Sequence, residues 1–240
     1  PAATSPPKRA APAKQGELLP SDYKYTITLS GAELKTEALK DLLYLAKPRS
    51  ATAPRQGVCV SIGKFNEGVF LLADDCGSLD EAPLKHWPDG GTTLCVHLTS
   101  PTVMRNLKVI SEYLRDKTCT LGVSALLGTE ESMRSQFVEL ADATGLLSFS
   151  LEDYADPTKR AFTIVDQAGE TLEPDNAVLA NRAVQRIVFQ PCFVSFVTKD
   201  KNVTVFKTLT FLELGCQSHA PEPGAGGFVK RTVAVNWKRT

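Results

Sequence analysis

The chain lacks any long apolar run, and no stretch approaches the ~20 residues that a membrane-crossing helix needs, which excludes a helical membrane protein. It is poor in histidine, with only His86, His97 and His219 in 240 residues. Mechanisms that rest on a His base or on several imidazole ligands therefore have few ways to be assembled. Its six cysteines (Cys59, Cys76, Cys95, Cys119, Cys192 and Cys216) are spread almost evenly and form no CxxC pair. That spacing excludes a zinc-finger framework and a disulfide-stapled miniprotein. Scattered single cysteines are the pattern of buried thiols in a reducing compartment, so the reading is intracellular (cytoplasm or nucleus) or an assembled particle. The opening PAATSPPKRAAPAKQG has no apolar core and is not read as a secretory signal. Four prolines in its first twelve residues also oppose an amphipathic transit helix. No GxxxxGK[ST], GxGxxG, HExxH, GxSxG or EF-hand loop occurs, so none of the chemistries those motifs carry is signalled. No cofactor and no metal is expected.

An excess of charge of either sign is missing as well, because 27 basic residues balance 27 acidic ones. The balance conceals an asymmetry. Residues 1–22 sum to +1 and residues 220–240 to +3, which leaves the middle at −4. Basic ends on an acidic body are suited to phosphate or to the acidic body of a neighbouring copy; they also simply serve solubility.

What is present is ordinary globular material, with 42% hydrophobic and 22% charged residues. A chain of this length can bury a core without staples. The organisation reads as a flexible basic Pro/Ala-rich arm (1–22), a globular body (23–219) with a sub-boundary near 152–160, a Gly/Pro linker (220–227) and a C-terminal strand arm (228–240). The fold class is α+β, with mixed or mainly antiparallel sheet and about four helices.

Alternation of Tyr23, Tyr25, Ile27 and Leu29 with polar residues predicts a strand. Ser30-Gly-Ala-Glu33 has the form of a capping box, and it predicts a helix through Leu34, Leu39, Leu42 and Leu45, ended by Pro48. Residues 57–73 read as a hairpin with its turn at Asn66–Gly68, and 74–92 as an irregular excursion. Leu94, Val96 and Leu98 mark a strand. Ser100-Pro101 opens a helix to about Lys117, with Val103, Leu107, Ile110 and Leu114 on one buried face. A short strand at 119–124 and a helix from Glu130 to Ala143 with Thr129 as N-cap follow, then strands at 146–151 and around Phe162–Val165. A helix from Asp175 to Arg186 precedes a long hairpin over 187–214, in which Pro191 suggests an edge or a bulge.

Four groupings are candidates for chemistry. Cys95 and His97 share one face of a strand, and with Cys59 beside them they would offer a thiolate–imidazole site or a nucleophile with a base. Asp74 and Asp75, with Asp80, Glu81 and Asp89 nearby, are a candidate Mg²⁺ or acid–base pair; a solvated acidic loop, which can also receive a basic arm, is the plainer reading. The charged run 152–160 offers Lys159 and Arg160 as contacts. Gly122 and Gly128-Thr129 precede a helix start but lack the lysine of a phosphate loop. No residue is assigned as catalytic.

Three function classes remain. The first is a self-assembling structural subunit, a homo-oligomer of coat or nucleocapsid type forming a shell, tube or filament. Its arms would contact neighbours, and non-specifically nucleic acid, through Lys8, Arg9, Lys14, Lys230, Arg231, Lys238 and Arg239, with Trp237, Val233 and Val235 as interface anchors. The second is an adaptor in a hetero-complex. The third is an enzyme of unfamiliar type that uses Cys95/His97 or Asp74/Asp75.

Overall fold

The β-prone run around Ile187–Val197 becomes the spine of the sheet. The computed structural model describes residues 25–46, 57–63, 69–124, 128–151, 153–197 and 203–217. In chain order these form β1 (Tyr25–Thr28), α1 (Glu37–Lys40), β2 (Leu43–Ala46), β3 (Gly57–Ile62), β4 (Val69–Ser78), β5 (Leu84–His86) and β6 (Thr92–Leu98). Then come α2 (Pro101–Ser124), α3 (Glu130–Arg134), β7 (Leu146–Ser150), β8 (Thr163–Val165), α4 (Asn176–Leu179), β9 (Ala183–Val197) and β10 (Val203–Cys216). All ten described strands join one sheet with the path β2-β3-β9-β4-β6-β5, onto which β1, β7, β8 and β10 pair. Pairing is antiparallel except for β1 with β4 and β8 with β10. The fold is thus α+β with a mainly antiparallel sheet, as the sequence predicts. No helix among the described residues is long and apolar enough to cross a membrane.

Ile187, Val188, Phe189 and Phe193 are buried along β9, the pattern of a strand covered on both faces. The β6–β7 pair closes over β9 and β10. There Phe149 meets Phe189 at 5.5 Å and Phe211 at 5.1 Å between ring centroids, and Phe162 meets Phe211 at 5.6 Å. Helix α2 packs across β3 and β9 with Val103, Leu107, Ile110 and Leu114 buried, the predicted face. Asn106 interrupts that apolar face. Its Nδ2 donates to the Leu29 and Ala32 carbonyls at 2.8 and 3.1 Å, and its Oδ1 accepts from the Leu34 N–H at 2.8 Å. The amide therefore fastens the segment after β1 to the helix.

That clamp explains the first departure from the sequence reading. The helix expected from Ser30 to Leu45 is only α1, and its second half is β2, paired with β3. The Ser30 hydroxyl caps nothing: it donates to the Asp74 carbonyl at 2.8 Å and accepts from the Asp74 N–H at 2.6 Å. Tertiary partners for Ser30, Leu34 and 43–46 outweigh local helix preference.

The hairpin expected over 57–73 does not form, because β3 and β4 both pair with β9 and not with each other. Pro191 sits where β9 changes partner: the last β3 pair is Ser61 with Cys192 and the first β4 pair is Leu71 with Phe189. A residue without an N–H is tolerated at such a gap, so Pro191 marks neither an edge strand nor a bulge. Gln190 closes the end of β3 by donating to the Ile62 and Gly63 carbonyls at 2.7 and 3.0 Å.

The excursion expected over 74–92 is in part regular, as the rest of β4 and as β5. A bulge after Asp74 puts Asp75 at φ +44° and shifts the register by Gly77. Gly77 is squeezed between β9 and β6, where a side chain would strike the His97 carbonyl oxygen.

The strand expected at 119–124 is the last part of α2. Thr118 and Thr120 return their hydroxyls to the Leu114 and Asp116 carbonyls at 2.7 and 2.8 Å, which lets β-prone residues stay helical. Cys119 packs with Met133 and Val205. Both later helices start where expected, at the Thr129 and Asp175 caps, but α3 and α4 end after five and four residues. The strands at 146–150 and 163–165 fall within their predicted spans, whereas β6 starts two residues before Leu94 and the β9–β10 hairpin runs over 183–216 rather than 187–214, so that 183–186, expected as the end of a helix, are strand. The arms 1–22 and 228–240, the linker 220–227 and the turns at 66–68 and 199–202 lie outside the described residues.

Candidate functional site

Asp74, on β4, stands opposite Arg186, on β9, in the sheet register. The guanidinium Nε donates to Asp74 Oδ1 at 3.1 Å, with the Arg186 side chain 10% exposed. On the other flank of β9, Gly215 of β10 stands opposite Arg186 and Glu213 stands opposite Val188. Alternation along β9 puts Arg186 and Val188 on the same face of the sheet, so Glu213 shares the face of Arg186 and Asp74. The result is an acid–base–acid row across three neighbouring strands.

Glu213 is 5% exposed, and its Oε1 has no hydrogen-bond partner. Burial pushes its carboxyl from the ordinary 4.5 up to about 7, while Arg186 pulls the other way. Loss of hydration disfavours the anion, and one guanidinium shared with Asp74 does not restore it. Such a carboxyl can hold or release a proton near neutral pH. Gln190, two positions further along the same face of β9, also carries a buried oxygen, Oε1, without a partner.

The residues singled out in the sequence are dispersed by the fold. Cys95 and His97 share a face of β6 as expected. Cys95 Sγ lies 3.8 Å from Ser148 Oγ, whereas His97 Nε2 lies 2.9 Å from Asp80 Oδ2 in a solvent-facing pair. Cys59 is on β3, separated from β6 by β9 and β4 along the sheet path, with its sulfur 3.1 Å from that of Cys192. No cluster of three metal-ligating side chains occurs among the described residues. Asp74 and Asp75 diverge at the bulge: Asp74 turns to Arg186, while Asp75 is exposed. Lys159 pairs with Asp156 at 2.8 Å, and Arg160 with Glu173 at 2.9 Å while it spans the Tyr154 ring. Both are therefore engaged within their own loop region. Gly122 lies inside α2 against Met133, and Gly128 precedes a five-residue helix, so neither shapes a phosphate cradle. Lys8, Arg9, Lys14, Lys230, Arg231, Val233, Val235, Trp237, Lys238 and Arg239 lie outside the described residues.

A groove of about 350 Å³ runs between α2 and the 139–145 segment, lined by Met104, Lys108, Ser111, Glu139 and Asp142 among others. Two of its polar groups, Ser111 and Asp142, serve the local chain. Ser111 Oγ accepts from the Leu140 N–H at 3.2 Å. Asp142 accepts from Thr144 and from the Leu146 N–H, which hold its carboxyl below the usual range.

A different surface feature was not singled out in the sequence. Trp87 is 54% exposed on a turn braced at every level. Its N–H donates to the Gly91 carbonyl at 2.8 Å, and its carbonyl accepts from Gly90 at 3.0 Å. The Asp89 carboxylate takes the Gly91 N–H at 3.0 Å, and the indole Nε1 donates to Thr93 Oγ1 at 2.9 Å. Glu213 and Arg186 left one visible signal, a charge within an apolar strand run. Trp87 left another, a tryptophan followed by Pro-Asp-Gly-Gly. Comparison with protein-family models, with curated protein sequences and with solved structures returns no match.

Proposed function

We propose that the chain is a self-assembling structural subunit whose body packs against neighbouring copies through the Trp87 turn. The arms 1–22 and 228–240 then contact those copies and, non-specifically, nucleic acid. The observation that carries this reading is Trp87 itself. A large aromatic ring held rigidly in water has little conformational freedom left to lose on docking, and such side chains are the usual anchors of protein interfaces. Among the described residues, the other exposed large apolar side chains, Leu45, Val123 and Val138, are aliphatic, and single exposed aliphatic residues are common on monomers.

Light scattering on a size-exclusion column, at low salt and across a concentration series, tests the reading. The full chain should elute as a particle many times the monomer mass. Trp87→Ala should shift it towards monomer with an unchanged far-ultraviolet circular dichroism spectrum. A wild-type chain that stays monomeric at every concentration and salt overturns self-assembly. The same monomer binding a different chain through Trp87 would make it an adaptor.

A further inference from the structure

The six cysteines are not equivalent. Burial pushes Cys76 and Cys216 up to about 12 and raises Cys119 as well, so these three resist forming the thiolate that reacts with oxidants. Cys59 differs, because it lies against a second sulfur. On β3 and β9, Cys59 stands opposite Val194 and Ser61 opposite Cys192, so the two cysteines are diagonal neighbours on one face of an antiparallel pair. Their sulfurs are 3.1 Å apart across 133 positions of sequence. A disulfide needs 2.03–2.05 Å, so about 1 Å of approach closes it. Diagonal neighbours stand about 7–8 Å apart, at the outer limit for a disulfide, so closure draws the two strands together as well as rotating the side chains.

We propose that Cys59 and Cys192 form an oxidation site, which a hydroperoxide converts into a disulfide joining β3 to the central strand β9. The hydrogen bond from Cys192 lowers the Cys59 thiol against the opposing effect of burial, and Cys59 is the more exposed of the two, at 7% against 1%. Cys59 is therefore the attacking sulfur. Its thiolate displaces hydroxide from hydrogen peroxide, breaking the O–O bond and forming a sulfenic acid. The Cys192 sulfur then attacks that sulfur, the S–O bond breaks, and the second water leaves with the Cys192 proton. Two thiols and one peroxide give one disulfide and two waters. The peroxide is reduced by two electrons, and no other reactant enters. The cross-link ties the β2–β3 strip to the strand that β4 and β10 also share, and it does not depend on the oligomeric state of the chain.

The test treats the folded, full-length chain with a stoichiometric amount of hydrogen peroxide. It is followed by denaturation, alkylation with N-ethylmaleimide and peptide mapping by mass spectrometry. The expected result is a fall in alkylable thiols from the six present by two, with the Cys59 and Cys192 peptides joined and separated again by dithiothreitol. In Cys192→Ser the Cys59 sulfenic acid should persist and label with dimedone, whereas Cys59→Ser should remain unlabelled at Cys192. The wild-type map alone decides if either variant fails to fold. Six alkylated thiols after treatment, or a different pair joined, would overturn the proposal.

Discussion

Removing the Asn106 side chain tests whether a single buried amide holds residues 29–34 onto α2. In Asn106→Ala, the Leu29 and Ala32 carbonyls and the Leu34 N–H lose partners at 2.8, 3.1 and 2.8 Å. Each neutral hydrogen bond contributes about 1 kcal/mol net, and a polar group left buried without a partner costs more. Asn106 is fully buried, although two of the three contacts reach the partly buried edge of the segment, where water can replace them. The expected loss is therefore about 3 kcal/mol, a large share of the 5–15 kcal/mol that holds a typical domain folded. Equilibrium unfolding in urea, followed by far-ultraviolet circular dichroism, measures it directly. Arg105→Ala, at the exposed neighbouring position, should lie within about 0.5 kcal/mol of the wild type. Asn106→Asp is the sharper probe. It keeps an acceptor for the Leu34 N–H but sets a carboxylate against two carbonyl oxygens, so it should be worse than alanine at neutral pH and recover as the solution is acidified. An Asn106→Ala chain within about 0.5 kcal/mol of the wild type would show that 29–34 is held by packing alone, and the clamp would be refuted.

Further outcomes follow from the buried carboxyl and from the tightest backbone approach. Below pH 4.5, Glu213 is protonated in both the folded and unfolded chain. Between 4.5 and about 7 the unfolded chain ionises first, so stability falls as pH rises, by about 3 kcal/mol in all. Above about 7 the loss is complete. Glu213→Gln should remove that component, seen as the difference between the two chains in urea midpoints from pH 4 to 8; superimposable profiles would contradict the buried-carboxyl reading. Gly77→Ala should cost about 3 kcal/mol, the upper end for overpacking. Its new methyl meets the His97 carbonyl oxygen, and lies 3.1 Å from that carbonyl carbon and 3.3 Å from Val96 Cγ1. Thermal unfolding measures this, and an unchanged midpoint would mean that β4 and β6 separate freely.

Much of the fold can be read from local pattern, and the exceptions have identifiable causes. The long β9–β10 hairpin, β6, the start of α2 and the Thr129 and Asp175 caps are encoded by neighbours in the chain: alternation, a Ser-Pro start, a side-chain oxygen two or three residues before an N–H. The apolar spacing of Ser30–Leu45 suits a helix, but the outcome turns on remote partners: Asp74 for Ser30, Asn106 for Leu34 and β3 for 43–46. Likewise β3 and β4 have the look of a hairpin, but both pair instead with one edge of β9, more than a hundred residues later, β3 along its second half and β4 along its first.

The same division governs function. An α+β body with balanced charge, basic ends, few histidines and scattered cysteines is legible in the chain, because composition and short-range periodicity are properties of neighbouring residues. That Cys59 meets Cys192 rather than Cys95, that Asp74 turns to Arg186 rather than to Asp75, and that Glu213 is held from water emerge from the folded sheet. Those contacts join strands distant in the chain. Their chemistry depends on burial and register, which arise only when the whole sheet closes.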